Sequence, residues 1–187
     1  MLEKIVDALR ARGFEAVAVA TRAEALELVL EEAASAASVG WGGSETLREI
    51  GAREALAASG KEIREHRTSA DLFLLSANAI TADGRIVNID GNGNRIAASI
   101  CGPGRVVYVV GRNKIVEGGL DAAVARIRRC ACPPNARRLG RRTPCALTGV
   151  CGDCDSPDRM CKVMAVFDRR PTGTPTRVIL VDEDLGY

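Results

Sequence analysis

Short apolar runs alternate with stretches of helical periodicity along most of this chain, and that alternation restricts its fold more than any other feature. Leu2, Ile5, Val6 and Leu9 recur at helical spacing, and Gly13 ends that helix. Phe14–Ala20 reads as a strand. Thr21 with Glu24 forms a capping box that opens an Ala/Leu/Glu-rich helix to about Ala34. The pattern continues with a strand at Ala36–Gly40, a helix at Glu45–Ala57, and strands at Lys61–Glu65 and Leu72–Ser76. A helix at Arg95–Cys101, a buried strand at Val106–Val110 and a helix at Leu120–Arg129 follow. Lys162–Asp168 and Arg177–Asp182 are the last two strands, separated by a turn at Arg170–Pro175. Strands and helices in this order predict an α/β fold with a mainly parallel, Rossmann-like sheet flanked by helices on both faces. The 187 residues suit a single domain, 1–187, with no internal repeat or linker.

Aromatic residues make up only 3% of the chain, so the core must be built from Ala, Val, Leu and Ile. No apolar run approaches the roughly 20 residues that span a bilayer. The amphipathic N-terminus lacks the apolar centre of a signal peptide, which predicts a cytoplasmic protein. Net charge is +2, yet Arg126–Arg142 holds seven arginines and no acid. Such a run can be a solvated basic face, a seat for a phosphate-bearing or nucleic-acid ligand, or compensation for an anionic metal cluster. No aromatics interleave with the arginines for base stacking, which speaks against nucleic acid. His66, the only histidine, has no evident partner and is assigned no role.

Parallel sheets hold their ligands beyond the carboxyl ends of the strands. Two post-strand segments have the right composition. Gly40, Gly42 and Gly43 leave their amides open to an anion, and Ser44 can cap the helix that follows. Trp41, inside this turn, is a packing anchor or a pocket wall. The second segment, Ser76–Arg95, crowds Asn78, Asp83, Asn88, Asp90, Gly91, Asn92, Gly93 and Asn94 into one hairpin and turn. These twelve residues, four in the first segment and eight in the second, are the predicted contacts of a small carboxylate or phosphate-bearing ligand. Asp83 in Ala-Asp-Gly also suits a hairpin turn, and Asp90, Asn92 and Asn94 suit turn or capping roles.

Six of the seven cysteines lie between Cys130 and Cys161, while Cys101 stands alone in an apolar context. Cys145, Cys151, Cys154 and Cys161 place four thiols in a short stretch rich in Pro and Gly. In a cytosolic chain this grouping points to metal before disulfides, as tetrahedral zinc or an iron–sulfur cluster. The segment 130–161 is predicted to be metal-binding and to wrap as loops, because Pro144, Gly149, Gly152 and Pro157 break helices. Cys130 and Cys132 read as bystanders.

The stretches VGWGGSETLREIG and SANAITADGRIVNIDGNGN resemble the sugar-phosphate isomerase and CoA-transferase superfamily. More closely, NAITADGRIVNIDGNGNRIAA, VVGRNKIV, RTPCALTGVCGDCDSPDRMC and RVILVDEDLGY resemble the LUD (lactate utilisation) domain proteins within it. The resemblance implies an accessory or redox subunit in oxidation of L-lactate to pyruvate, with an iron–sulfur centre and other lactate-utilisation subunits as partners. The superfamily also implies an alternative: a binding protein or enzyme for a phosphorylated metabolite or CoA ester, with structural zinc. Catalytic turnover is left open, and so is assembly into a homo-oligomer. Where sugar-phosphate isomerases carry an acid, this chain has Ser76-Ala77-Asn78, and an amide cannot act as a general base at neutral pH. No glutamate aligns with the CoA-transferase nucleophile. The stretch Arg64–Ala70 is short compared with the helical connection of the family, which predicts a reduced lid.

Overall fold

A computed structural model describes residues 2–65 and 69–187. His66 and the middle of the expected lid segment lie outside the described residues. The elements run α1 (Leu2–Ala11), β1 (Glu15–Val19), α2 (Arg22–Ala33), β2 (Ser38–Trp41), α3 (Glu45–Glu49), α4 (Ala52–Ala58), β3 (Glu62–Glu65) and β4 (Leu72–Leu75). A hairpin of β5 (Ala79–Thr81) and β6 (Ile86–Asp90) leads to α5 (Asn94–Ile100), β7 (Arg105–Gly111), a 3-10 turn (Arg112–Lys114) and β8 (Ile115–Val116). The chain ends with α6 (Leu120–Arg126), a π-helical turn (Ile127–Ala131), α7 (Cys132–Arg138), α8 (Pro144–Thr148), β9 (Val163–Phe167) and β10 (Thr176–Val181).

The main sheet has six strands in the order β1-β10-β7-β4-β2-β3, and every pairing in it is parallel. Its central strands are apolar on both faces because both faces are covered. Phe73, Leu75, Val106, Tyr108, Val110, Val178 and Leu180 pack on the side of α1 and the β5–β6 hairpin. The alternate residues Leu72, Leu74, Val107, Val109, Ile179 and Val181 pack on the side of α2, α3 and α4. The fold class expected from the alternation is therefore the one observed.

Three features depart from the sequence expectation. The helix expected over Glu45–Ala57 is two helices, because Gly51 adopts a left-handed φ of 70° between them. Lys162–Asp168 does not join the main sheet: β9 pairs antiparallel with β6 in a second sheet ordered β8-β5-β6-β9. The cysteine-rich segment is not all loop. Prolines open α7 and α8, where the first turn has no amide bond to lose, and Gly149 closes α8 at φ 77°. Among the described residues, no helix is long and apolar enough to cross a membrane.

Candidate functional site

The carboxyl ends of β2, β4, β7 and β10 open into one cavity of about 700 Å³. Gly43 and Ser44 follow β2, Ser76 and Asn78 follow β4, Lys114 follows β7, and Tyr187 ends the tail after β10; all of them line it. Asp90, Gly91, Asn92 and Asn94 supply one rim. Cys132, Asn135, Arg138 and Arg141 supply another. Eight lining side chains are Arg or Lys and four are Asp or Glu, so the cavity favours an anion.

Seven of the twelve expected ligand contacts thus lie on this cavity: Gly43, Ser44, Asn78, Asp90, Gly91, Asn92 and Asn94. The other five are elsewhere. Gly40 is a buried residue of β2. A side chain on Gly42 would meet Leu75, Phe73 and Arg95, so its bareness serves packing behind the cavity. Gly93 takes a left-handed φ of 77° as the N-cap of α5. Asp83 sits in the hairpin turn, bonded to Thr81 and ion-paired with Arg12, whose guanidinium it meets at 2.9 Å. Those contacts hold its carboxyl below the usual range, with the Thr81 hydrogen bond the largest cause. Asn88 is fully buried and accepts the Asn78 backbone N–H at 2.9 Å while donating to Tyr108 at 3.4 Å. Trp41 is both things expected of it, 5% exposed in the core and a wall of the cavity.

Asn78 is clamped. Its Oδ1 accepts the Ile89 N–H at 2.9 Å and Arg95 Nη2 at 2.9 Å. Arg95 also donates to the Ser76 and Ile89 carbonyls and faces Asp90 at 3.7 Å. The Asn78 amide holds the hairpin against α5 and fixes Arg95, which lines the cavity.

Sequence reasoning overlooked Lys114. It is only 4% exposed, and its Nζ donates to Thr46 Oγ1 at 2.7 Å and to Ser76 Oγ at 2.9 Å. Burial, helped by the charges of Arg126 and Arg95 and opposed by Glu49, pulls its pKa down to about 7. The sequence carried no signal for it, because Lys114 shares a short polar turn, Gly111–Lys114, with the solvated Arg112. The arginine run is largely the solvated face that was one of its expected readings, with six of its seven arginines exposed and Arg126 the exception. Arg126 is buried and donates to the Asn78 and Asn113 carbonyls, and Arg137 donates to Ala146 O.

A second space of about 20 Å³ is lined by Cys132, Cys145, Cys151, Cys154 and Cys161, with Arg159 beside them. Cys132, treated as a bystander from spacing, is one of the five; the π-helical turn before α7 delivers it there. Burial first, and then the neighbouring thiols of Cys161, Cys151 and Cys145, push its pKa up to about 12. The donor set has the chemistry of a thiolate metal site. The thiols are not paired as disulfides, and among the described residues no three of His, Cys, Asp or Glu are arranged to hold a metal ion. Cys101 is exposed rather than packed. Cys132, Arg159, Met160 and Cys161 line both spaces, so the thiol cluster is a wall of the larger cavity.

The fold is similar to the crystal structure of a DUF162 family protein from Deinococcus radiodurans, with a TM-score of 0.59, 16% identity, and coverage of 96% of this chain and 95% of that one. No curated protein matches the chain. The LUD domain model matches residues 2–181. With nearly its whole length inside that match, this chain belongs to the LUD domain family.

Proposed function

We propose that this protein binds a small carboxylate or phosphate-bearing metabolite in the 700 Å³ cavity and serves lactate utilisation as an accessory or redox subunit in oxidation of L-lactate to pyruvate. The observation that carries this reading is the shared wall: the thiols Cys132 and Cys161 line both the cationic cavity and the thiol-lined space. A redox centre is useful only close to what it oxidises or reduces, and here the two spaces adjoin. Cys145, Cys151, Cys154 and Cys161 would hold the metal, with Arg159 offsetting the negative charge of the thiolates. When bound, an iron–sulfur cluster supplies one-electron storage, and zinc supplies a structural cross-link. The chain's own residues do the rest: Arg95 attracts the anion, and Asn78 fixes Arg95.

One observation favours the alternative, a metabolite- or CoA-ester-binding protein with structural zinc. The thiol-lined space measures about 20 Å³, room for a single ion on the scale of one water site. Metal analysis of anaerobically prepared protein separates the two. Iron with acid-labile sulfide supports the redox subunit; stoichiometric zinc supports the alternative; neither metal refutes both metal assignments. Calorimetry with L-lactate, pyruvate, a sugar phosphate and a CoA ester tests the cavity, and binding of none of them sinks the ligand assignment.

A further inference from the structure

Lys114 is a buried amine with an unusual set of neighbours. Its two hydrogen-bond partners, Thr46 Oγ1 and Ser76 Oγ, are neutral hydroxyls. Each hydroxyl gives its own proton away, Thr46 to the Leu185 carbonyl at 3.1 Å and Ser76 to the Ala77 carbonyl at 3.4 Å. Both hydroxyl oxygens therefore act as acceptors toward Lys114, and two of the three non-carbon positions on Nζ are committed to N–H donation. The tail crosses close to the nitrogen: a side chain on Gly186 would lie 3.3 Å from Nζ. The acid that favours the charged form, Glu49, is occupied by the Gly186 N–H at 2.8 Å. Arg95 and Arg126 act in the opposite sense. The remaining position on Nζ belongs to a side chain that lines the 700 Å³ cavity.

We propose that Lys114 is a nucleophilic amine, and that the ligand it takes is a 2-oxo acid bound as a Schiff base. The inference rests on the reading of the cavity as a small-carboxylate site and names the ligand class for it. With two N–H bonds held by Thr46 and Ser76, a neutral amine directs its lone pair from the third position. Desolvation and neighbouring cations are the two devices that make a lysine amine reactive at neutral pH. The lone pair adds to the C2 carbonyl carbon of the acid. Both amine protons pass to the carbonyl oxygen, which leaves as water as the C=N bond forms; no electrons are exchanged with any other group. Excess cationic charge on the lining is complementary to the ligand's carboxylate.

The test uses the full chain, pyruvate and sodium cyanoborohydride at pH 7, followed by intact mass and peptide mapping. Cyanoborohydride gives a hydride to the imine carbon, the nitrogen takes a proton, and the adduct becomes permanent. The chain has four lysines: Lys4, Lys61, Lys114 and Lys162. Lys162 lines the same cavity but is exposed, so it serves as the internal control. The expected result is one adduct per chain on the Lys114 peptide, labelled about tenfold or more above Lys162. Lys114→Arg, which keeps a long N–H-donating side chain but cannot form the imine, is expected to lose the adduct. Calorimetry on the unmodified chain supplies a separate readout. Pyruvate binding without trapping at Lys114 overturns the nucleophilic amine and leaves the cavity assignment standing. Neither binding nor trapping with pyruvate, glyoxylate or 2-oxobutyrate overturns both. Equal labelling of Lys114 and Lys162 also overturns the proposal, whether or not the variant folds.

Discussion

Asn88 Oδ1 accepts the backbone N–H of Asn78 at 2.9 Å, and this bond ties the far strand of the hairpin to the loop that leaves the main sheet. Asn88 is fully buried, so removing its amide strands a backbone donor away from water. Asn88→Ala is expected to lower stability by about 1–3 kcal/mol in urea denaturation. Asn92→Ala, at the exposed rim of the cavity, is expected to stay within about 0.5 kcal/mol. Equal effects would show that Asn88 does not hold the hairpin.

The buried amine predicts a pH signature. Lys114 has a folded pKa of about 7 against 10.5 for an ordinary lysine. Between those values the unfolded chain binds a proton that the folded chain does not, so stability rises with pH from 7 upward. Tyr108 and Cys132, both pushed up to about 12 by burial, act in the opposite direction as the unfolded chain ionises them, Cys132 from about pH 8 and Tyr108 from about pH 9. Denaturation between pH 7 and 8 should therefore show stability climbing by about 1 kcal/mol, with the slope easing above pH 8. Lys114→Met should flatten that slope; a slope unchanged by the substitution would remove Lys114 as its source.

Gly186 is held at φ 59°, and a side chain there would approach Thr46 Oγ1 to 2.7 Å and Thr46 N to 3.0 Å. The tail has no room to yield, because Leu185 O and Gly186 N are both hydrogen-bonded to α3. Gly186→Ala should cost about 1–3 kcal/mol from backbone strain and weaken ligand binding by displacing Tyr187 and Lys114. Calorimetry with the ligand that binds the unaltered chain is the check.

Asp83 makes the opposite case. It is half-exposed, faces Arg12 and Arg85, and lies outside the cavity. Asp83→Asn should leave ligand affinity unchanged and cost no more than about 1 kcal/mol, as partly exposed ion pairs do. A large loss of affinity would place the hairpin turn in the binding site.

If a metal is held, its removal should be felt beyond the thiols. The segment from α7 to β9 has few buried apolar residues of its own, so its order would depend on the cross-link. A chelator with reductant should lower the Tm and release the metal, and Cys154→Ser should do the same. Cys101→Ser should do neither. Cys132→Ser reports whether the fifth thiol is a ligand: metal content falling as far as in Cys154→Ser identifies it as one.

The α/β alternation was legible because both faces of a parallel sheet are buried, which writes continuous apolar runs such as Leu72–Leu75 and Val106–Val110 into the chain. Glycine-rich and asparagine-rich turns after strands marked one rim of the cavity for the same reason: strand ends in such sheets converge. The thiol spacing marked Cys145–Cys161 by local chemistry alone. The place of β9 in the second sheet, the break at Gly51 and the helices within the cysteine segment were not legible, since pairing and proline's place in a first turn depend on what lies alongside. Lys114 and Cys132 joined the site only through tertiary structure. Lys114 meets Thr46 and Ser76 from distant parts of the chain, and a π-helical turn brings Cys132 to thiols beyond it. Sequence by itself determined which segments carry polar and thiol chemistry, because composition and period are local. Only the tertiary structure decided which of those groups are desolvated together, because burial and electrostatic neighbours are properties of the packed chain.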